Sequence, residues 1–509
     1  MWAMSAVGCR RWGTAGAAAI AVGGWFAGAL PARDPWGIWV RHGSLVTGAG
    51  TVLAYAGLSV LVVAWWRYGK AGAGVRDTLV TLAWWVAPLL LAPPLYSADV
   101  YSYIAQGAMV LEGHDVYTAG PSVVDPAGLG GDAAASVGGN WTDTPAPYGP
   151  FFLILARAVA WTAGGAIVPA VLGMRLLALG ALVLMVWGLR HLARHLGRSE
   201  SAALRFGALN PLLLMHVVGG MHNDGLMIGL LLAGVVCALR GRWIAGSALI
   251  GLALMIKSPA ALALLFIGVL VGRAASGPLV RRTAKGLLAP GLIAGAVAVA
   301  VTLIAGTGFG WLRTQGVAAG IHTPLSATSD LGLALGTLLH VLVGTDPDAV
   351  TGAVRTLGLV AALAVIAHLG WRAARGRVEP VHALGLALLA LVALSPMVQP
   401  WYLLWGMTVI AATTWNGRAG TVVAVLSAAL AYETVPKGAT PPFAFVLVGV
   451  VCVIGTLVVR RERSASPGEA RLPGQRRAED ADHTADDSDR TADDGACAAD
   501  RVVRAAGGS

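Results

Sequence analysis

An acidic side chain near the end of an apolar run is the first group in this sequence that is suited to chemistry. Asp99 closely follows the apolar run 78–95. At helical spacing, four polar residues share one face and apolar residues share another; the polar ones are Asp99, Ser102, Tyr103 and Gln106. We predict an amphipathic helix that lies along a bilayer surface and turns its polar face into a cleft.

Asp99 admits two interpretations. Aspartate is a favoured residue for capping the start of a helix, which would be a purely structural role. A carboxylate beside a bilayer is also costly to desolvate and is often functional. Desolvation raises the pKa of a carboxyl group towards the range useful for a general base. Asp99 is therefore the candidate catalytic residue, with the helix cap as the alternative.

Further polar residues interrupt the apolar runs later in the chain. His222, Asn223 and Asp224 separate two apolar runs, and together they suit hydrogen bonding to a sugar or a phosphate. The alternative is a hairpin tip at which Asn223 or Asp224 caps the next helix. Lys257 interrupts the apolar stretch 243–272, where a lysine needs a partner. A phosphate would be one; the alternative is a lysine that snorkels from a helix end.

Aromatic and amide side chains complete the set of candidate binding residues. Tyr148 lies in a proline-rich turn and fits either an interfacial aromatic belt or a stacking platform for a sugar. Gln399 and Tyr402 flank Trp401, which we interpret as an anchor, and both are expected to line the cleft. The predicted substrate-binding residues are Tyr103, Gln106, Tyr148, His222, Asn223, Asp224, Lys257, Gln399 and Tyr402.

The composition shows what kind of scaffold must position these residues. The chain has 509 residues, of which 56% are hydrophobic and only 12% are charged. Soluble domains are typically about 25% charged, so most of this surface does not face water. Apolar runs of membrane-spanning length recur without alternation, which favours helices over a barrel. We predict an all-α polytopic membrane protein with about 13–15 transmembrane helices. The net charge of +10 could suggest a nucleic-acid partner. The placement of the basic residues instead indicates membrane topology, so no nucleic-acid partner is expected.

Basic clusters predict the orientation, because lysine and arginine concentrate on the cytoplasmic side. With these clusters inside, residues 1–463 form the membrane domain, and 464–509 form a disordered cytoplasmic tail. Residues 150–165 are interpreted as a re-entrant segment or a short interfacial helix. The segments then predicted to face outwards are the long loops 96–149 and 307–349 and the tips 221–224, 257–259, 397–401 and 434–441.

Motifs for other chemistries are missing from the sequence. It has no phosphate-binding P-loop, no dinucleotide fingerprint and no zinc-protease or serine-hydrolase signature in a suitable context. The four cysteines lie far apart and show no metal-ligand spacing. No cofactor and no metal site are predicted, and dependence on a divalent metal is left open.

Four motifs carry a resemblance to a known family. They are Tyr96 to Tyr103, Pro145 to Pro150, Gly220 to Asp224 and Gln399 to Tyr402. This combination resembles the polyprenol-phosphomannose-dependent α-1,6-mannosyltransferases of actinobacteria, which are membrane glycosyltransferases of the GT-C type. The resemblance covers roughly residues 15–460.

The resemblance implies a reaction and a location. The donor would be polyprenyl-phosphate-mannose and the acceptor a lipid-linked mannan of lipomannan and lipoarabinomannan biosynthesis. The active site would lie on the outer face of the cell membrane, in contact with membrane lipids. Transfer would be inverting, and Asp99 matches the acidic residue that the family places in its first outward loop.

Three alternatives remain at the level of the sequence. A transporter or flippase of a lipid-linked sugar would also need many spans and a polar pocket. Transporters, however, often show paired interrupted helices and internal repeats, and no repeat is visible here. A GT-C enzyme of another sugar specificity would keep Asp99 and change the sugar pocket. A non-catalytic scaffold of the same fold is disfavoured by the acidic residue at position 99.

Overall fold

The computed structural model describes residues 4–317, 320–413 and 418–465. Throughout these ranges the chain forms helices joined by turns, without a strand. Met1–Val451 forms one compact unit, and a second unit begins at Cys452. The predicted disordered tail lies outside the described residues from position 466 onward.

The described residues from 4 to 239 contain ten α-helices. They are α1 (Ala6–Ala27), α2 (Ser44–Tyr68), α3 (Val75–Val86), α4 (Asp99–Leu111), α5 (Gly131–Ala134), α6 (Pro150–Ala163), α7 (Ile167–His195), α8 (Glu200–Gly207), α9 (Pro211–Leu213) and α10 (Asp224–Leu239). A π-helical turn, Leu214–Gly219, follows α9 directly. Such turns widen a helix locally and are frequent at functional sites.

Ten more α-helices lie in the described ranges between residues 240 and 465. They are α11 (Trp243–Leu254), α12 (Leu262–Ala274), α13 (Leu279–Ala305), α14 (Trp311–Thr314), α15 (Ala327–Val343), α16 (Pro347–Ala374), α17 (Pro380–Ala393), α18 (Leu403–Ala411), α19 (Arg418–Leu430) and α20 (Pro442–Ala465). Short 3₁₀ turns at Ser258–Ala261 and Pro400–Tyr402 lead into α12 and α18.

Several helices are long and apolar enough to cross a membrane. Five pass by length and composition within the described residues; they are Ser44–Tyr68, Ile167–His195, Ala284–Ala305, Pro347–Ala374 and Pro442–Glu462. The pair Glu200–Gly207 and Pro211–Gly219, bent by 50°, would form one further span. Other apolar helices are 10–17 residues long. The prediction of an all-α polytopic membrane protein is confirmed, and the number of crossings stays a prediction.

Glycines hold the first helical hairpin together. A Cβ on Gly16 would lie 2.6 Å from the Gly57 carbonyl oxygen, and a Cβ on Gly57 would lie 2.6 Å from that of Gly16. Helices inside a membrane associate through such small residues because lipid tails offer no hydrophobic drive for association. This contact fixes α1, whose far end reaches the chain that leads into Asp99: the Ala29 amide donates to the Pro94 carbonyl oxygen at 2.9 Å.

The helix that begins at Asp99 differs from the sequence-based expectation. Helix α4 exists, but Val100 to Met109 are all buried, including the apolar face that was expected to rest on lipid. The reason is α6, which packs so closely that a Cβ on Gly107 would lie 2.3 Å from the Ala156 carbonyl oxygen. Protein therefore replaces the bilayer surface as the partner of the apolar face of α4.

The segment 307–349, predicted as a long outward loop, contains helical structure, and its outward location stays a prediction. It contains α15, a 17-residue apolar helix that packs against α16. Leu331, Leu338 and Val341 remain exposed on α15. A helix with such an exposed apolar face fits lipid surroundings better than aqueous ones.

The chain connections define two ends of the bundle. We call the end where residues 95–99, 219–224, 255–259, 396–402 and 434–438 meet the Asp99 end. Five helices have their other end at the opposite side of the bundle: α7, α10, α12, α16 and α17. The arginines at that side are Arg190, Arg194, Arg273, Arg282 and Arg375. We call that side the arginine end.

Candidate active site

A cavity of about 460 Å³ opens at the Asp99 end. This volume lies within the usual range for small-molecule sites. Five of the predicted residues line it: Asp99, Tyr148, Lys257, Gln399 and Tyr402. Residues that are far apart in the sequence are thus brought together around one space.

Asp99 sits at the wall of this cavity. Its backbone amide donates to Ser97 Oγ at 3.0 Å, which fixes the first turn of α4, and its side chain is 22% exposed. Burial raises the pKa of Asp99 to about 6, although Lys257 and Ser97 favour the charged form. The carboxylate is therefore a base with a pKa near neutrality and with access to the cavity.

His222 lies directly behind Asp99. Its Nδ1 atom is 3.5 Å from Asp99 Oδ2 and also 3.5 Å from the Tyr103 hydroxyl. The ring stacks on Trp401, with centroids 3.6 Å apart and planes at 22°. Burial lowers the pKa of His222 well below its usual range, so the imidazole is neutral. Within a neutral ring, the tautomer protonated at Nδ1 would donate to the ionised carboxylate of Asp99.

Lys257 and Asp224 form an ion pair at the cavity wall. Lys257 Nζ donates to both carboxylate oxygens of Asp224, at 2.9 and 3.0 Å. The Trp405 indole also donates to Asp224 Oδ1 at 2.6 Å. Asp224 is fully buried, whereas the Lys257 side chain keeps 16% exposure and lines the cavity. Asp224 thus holds the lysine that faces the ligand space instead of facing that space itself.

Aromatic rings fix the other side of Lys257. Its Nζ lies 4.4 Å from the centroid of the Tyr402 ring and 5.4 Å from that of Trp405. The two rings stack, with centroids 4.2 Å apart. Burial opposes the charged form of Lys257, but Asp224 outweighs it, so the pKa of Lys257 lies above its usual value. The lysine is a fixed cation at neutral pH.

Five predicted binding residues are not among those that line the cavity. Tyr103 and His222 form the layer behind Asp99, and Asp224 lies behind Lys257. Gln106 lies one turn beyond Tyr103 on α4. It is buried, and its Oε1 atom has no hydrogen-bond partner among the described residues. Asn223 is likewise buried, with both polar side-chain atoms unpartnered. The structure does not bring Gln106 or Asn223 to the cavity surface.

Other residues of the site escaped the sequence analysis. Trp405 lies inside the apolar helix α18, and His216 lies inside an apolar run. His216 is fully buried, and neither ring nitrogen has a partner in the described chain; its ring centroid is 5.0 Å from that of Trp401. Trp401, predicted only as an anchor, lines the cavity. A polar residue inside an apolar run was the one available signal, and it pointed to His216.

Arg175 supports the site from a distance. This buried arginine of α7 donates to the carbonyl oxygens of Leu90 at 2.8 Å and Pro93 at 3.3 Å, and also to that of Ala92. These carbonyls belong to the chain that leads into Asp99. One guanidinium thereby satisfies acceptors that a break between helices leaves open.

Backbone strain occurs on both sides of the Asp99–His222 contact. Tyr96 has φ of 59° and Met221 has φ of 55°, and both are non-glycine residues in the left-handed region. Such conformations cost roughly 1–3 kcal/mol each and persist only where the surroundings enforce them. The Tyr96 amide donates to the Pro436 carbonyl oxygen at 2.8 Å, and the His222 amide donates to the His216 carbonyl oxygen at 3.1 Å. These bonds enforce the turns that aim Asp99 and His222 at each other.

The site combines a base, a fixed cation and aromatic walls. Trp141 and Tyr148 line the cavity together with Trp401, Tyr402 and Trp405. Among the described residues no group of three or more histidine, cysteine or acidic side chains is placed to hold a metal ion. The arrangement can accept a proton from a hydroxyl group, stabilise a negative charge and stack against a sugar ring.

Comparison with known proteins places the chain in a family. The model of the MptA_B family, described as the N-terminal domain of alpha-(1->6)-mannopyranosyltransferase, matches residues 10–273. The model of the MptB C-terminal domain matches residues 328–461. Asp99 and Asp224 lie in the first match, and Trp401 and Trp405 lie in the second, so the cavity is built from both.

Curated relatives agree with this assignment. A probable alpha-(1->6)-mannopyranosyltransferase of Mycolicibacterium smegmatis is 36% identical over 81% of this chain and 79% of its own length. An alpha-(1->6)-mannopyranosyltransferase of Mycobacterium tuberculosis is 34% identical over 83% and 80%. Alpha-(1->6)-mannopyranosyltransferase B of Corynebacterium glutamicum is 32% identical over 85% and 77%. No solved structure matched the chain. The resemblance found in the sequence is confirmed: this chain is a glycosyltransferase and belongs to the alpha-(1->6)-mannopyranosyltransferase family.

Proposed function

We propose that this chain transfers mannose from polyprenyl-phosphate-mannose to a lipid-linked mannan acceptor in lipomannan biosynthesis, forming an α-1,6 linkage with inversion. The names of the relatives support the sugar and the linkage. The observation that carries the mechanism is Asp99, a carboxyl group with a pKa of about 6 at the wall of an aromatic cavity, close to a fixed lysine.

Inversion needs one displacement and one base. Asp99 takes the proton from the 6-hydroxyl group of the acceptor as that oxygen forms its bond to C1 of the mannose. The bond between C1 and the phosphate oxygen of the donor breaks, and polyprenyl phosphate leaves with the electron pair. A phosphate leaves readily without protonation, so a second carboxyl group as acid is not required.

Lys257 is the group that faces the leaving phosphate in this proposal. Its ammonium group is held by Asp224 and by two aromatic rings, so it needs no rearrangement when charge develops. Such preorganised charges stabilise a transition state more than mobile ones do. Asp224 already balances the charge of Lys257. The ammonium group of Lys257 therefore attracts the phosphate mainly by donating a directed hydrogen bond and less by net charge.

Aromatic side chains provide the surface for the sugars. Trp141, Tyr148 and Trp401 line the same cavity as Asp99. The faces of pyranose rings are apolar and pack against aromatic rings, while their hydroxyl groups take the polar positions. Gln399 lines the cavity beside these rings and would hydrogen-bond a sugar hydroxyl.

The contrast between the two ends of the bundle supports an active site on the outer face of the cell membrane. Cations gather at the arginine end, and the positive-inside tendency places that end in the cytoplasm. The Asp99 end then faces outwards across the cell membrane. A lipid-linked donor suits this side, because nucleotide sugars are cytoplasmic and no nucleotide-binding motif is present in the sequence.

A transfer assay tests the proposal. Membranes that contain the protein receive radiolabelled polyprenyl-phosphate-mannose and a short α-1,6-mannoside acceptor. We expect extension of the acceptor, and we expect Asp99→Asn to reduce the rate by roughly 10²–10⁴-fold at unchanged protein level, because asparagine keeps the size but is no base. Asp143→Asn is the matched control: Asp143 lies exposed in the same loop and is expected to leave the rate unchanged.

Three outcomes would contradict parts of the proposal. Label that crosses the bilayer without extending the acceptor would identify a transporter of the lipid-linked sugar. Transfer of another sugar in preference to mannose would overturn the assigned donor. Full activity of Asp99→Asn would keep the enzyme but remove the base assignment.

A further inference from the structure

A second cavity, of about 370 Å³, opens at the arginine end between α12, α13 and α16. Its walls are apolar and include Leu265, Val269 and Leu287. Three guanidinium groups surround it; they belong to Arg273, Arg282 and Arg375. We call this cavity the arginine groove. It lies at the end of α12 opposite to Lys257, so it is separate from the candidate active site.

Among the described residues, no carboxylate forms an ion pair with the arginines of the arginine groove. The sequence has no acidic residue between Asp224 and Asp330 and none between Asp348 and Glu379. The carboxylate of Glu379 accepts hydrogen bonds from the backbone amides of Val381 and His382, at 2.9 and 2.7 Å. The groove therefore presents a concentrated positive charge to an external anion.

The groove arginines are held in place without using all their donors. Arg282 donates from Nε to the Gly272 carbonyl oxygen at 3.1 Å and from Nη2 to that of Arg273 at 3.4 Å. Arg273 donates from Nη2 to the Ala373 carbonyl oxygen. The Arg375 guanidinium lies over the Trp371 ring, 5.6 Å from its centroid. A guanidinium has five N–H donors, so each of the three keeps several for a ligand.

Glycines give the groove its depth. A Cβ on Gly268 would lie 2.3 Å from the Gly286 carbonyl oxygen, so α12 and α13 touch backbone to backbone. Gly272 and Gly370 line the same cavity without a side chain. The space so left between apolar walls is of the kind that an acyl chain fills, while the arginines lie at its mouth.

We propose that the arginine groove binds an anionic phospholipid, with the phosphate between Arg273, Arg282 and Arg375 and an acyl chain along Leu265, Val269 and Leu287. Basic pockets between transmembrane helices on the cytoplasmic side are known to take such headgroups. The site lies in the leaflet at the arginine end and does not depend on the proposed mannosyl transfer.

The aspartate-rich segment after residue 466 is the competing occupant, because it also carries negative charge. It contains few large apolar residues, and the groove walls are apolar. A lipid matches both the cations and the walls, whereas an acidic polar segment matches only the cations. The phospholipid is therefore the better fit, and the acidic segment becomes an outcome of the test.

Native mass spectrometry of the purified full-length chain measures this binding. The chain is titrated with phosphatidylglycerol and, separately, with zwitterionic phosphatidylcholine. We expect at least one tightly held phosphatidylglycerol. We expect Arg282→Gln with Arg375→Gln to weaken it by roughly 25-fold and Arg375→Gln alone by about fivefold. The matched control, Arg240→Gln with Arg242→Gln, removes two charges from the same end outside the groove and is expected to retain the lipid.

The other outcomes overturn the proposal. Equal weakening by the groove variant and by the control would show diffuse attraction to the basic end instead of a site. Equal binding of phosphatidylcholine would remove the role of the arginines. Binding that appears only after residues 466–509 are deleted would assign the groove to the acidic segment. Because Arg375 is exposed, its single substitution reports on binding even if the double variant is unstable.

Discussion

The two ends of the helical bundle use charge in opposite ways. At the Asp99 end, Asp224 and Lys257 pair where their side chains are only 1% and 16% exposed. At the arginine end, Glu200 bridges Arg190 and Arg194, whose side chains are 34% and 56% exposed. Water screens the second arrangement and hardly reaches the first. Charges at the Asp99 end are therefore fixed in position, and those at the arginine end remain available to partners.

The backbone shows the same contrast. The two non-glycine residues with left-handed φ in the described chain, Tyr96 and Met221, both belong to the Asp99 end. Strain of this kind is kept where a side chain must be aimed. The arginine end instead contains helix termini with ordinary turns. The candidate active site fixes a few groups in position, whereas the proposed lipid site concentrates charge at a surface.

The largest difference between the ends is expected for the buried ion pair. Asp224→Asn leaves the Lys257 charge buried without its counterion, and we expect a loss of roughly 3–5 kcal/mol in the free energy of unfolding. Thermal unfolding in detergent measures it. The double variant Asp224→Leu with Lys257→Met removes both charges and should recover most of the stability, yet it should stay inactive. Recovery of activity would remove Lys257 from the mechanism.

Substitution of His222 separates aiming from folding. His222→Phe keeps a ring to stack on Trp401 but loses the donor to Asp99, so we expect a stable protein with kcat reduced roughly 10- to 100-fold. Without that donor the ionised form of Asp99 is disfavoured, so the acid limb of the pH profile should move to higher pH. A lower kcat with an unmoved acid limb would assign His222 a structural role only.

The pH dependence gives the next smaller effect. Asp99 must be ionised to act as a base, and its pKa is about 6, so kcat/KM should fall below that pH and be about tenfold lower at pH 5. Its folded-state pKa lies above the value of roughly 3.9 in an unfolded chain. Through this group the fold therefore gains stability as the pH falls from 6 to 4. Activity that disappears together with the folded state would point to other groups.

The smallest effect is expected at the arginine end. Glu200→Gln breaks the contacts with Arg190 and Arg194, but exposed pairs contribute only about 0–1 kcal/mol. We expect a small loss of thermal stability that salt reduces, and an unchanged transfer rate. A loss as large as that of Asp224→Asn would contradict the contrast between the two ends.

Much of the candidate site could be predicted from the sequence because apolar runs dominate it and polar interruptions stand out. The tips 221–224, 257–259, 397–401 and 434–441 were all assigned to one side, and the structure brings all four to the Asp99 end. Lysine or histidine at such a break is costly unless it has a partner, which is why residue type alone was informative.

The remainder depended on contacts that no local pattern encodes. The pairing of Lys257 with Asp224 joins residues on separate helices, and the tryptophan that completes it, Trp405, lies within an apolar run like any core residue. The burial of α4 depends on the close approach of Gly107 to α6. Gln106 shares the polar face of α4 by spacing, yet the turn on which it lies is already past the cavity.

The assembly of the Asp99 end from distant loops has a consequence for biogenesis. The Tyr96 amide is satisfied by the Pro436 carbonyl oxygen, and His222 is covered by Trp401. During translation Asp99 and His222 enter the membrane long before these partners are made. Until the helices after Tyr402 have been inserted, the hydrogen bond to Pro436 that stabilises the left-handed conformation of Tyr96 cannot form. The candidate catalytic carboxylate is thus put in place by a part of the chain that is synthesised long after it, and a ribosome that stops before residue 401 leaves Asp99 and His222 without the contacts that position them.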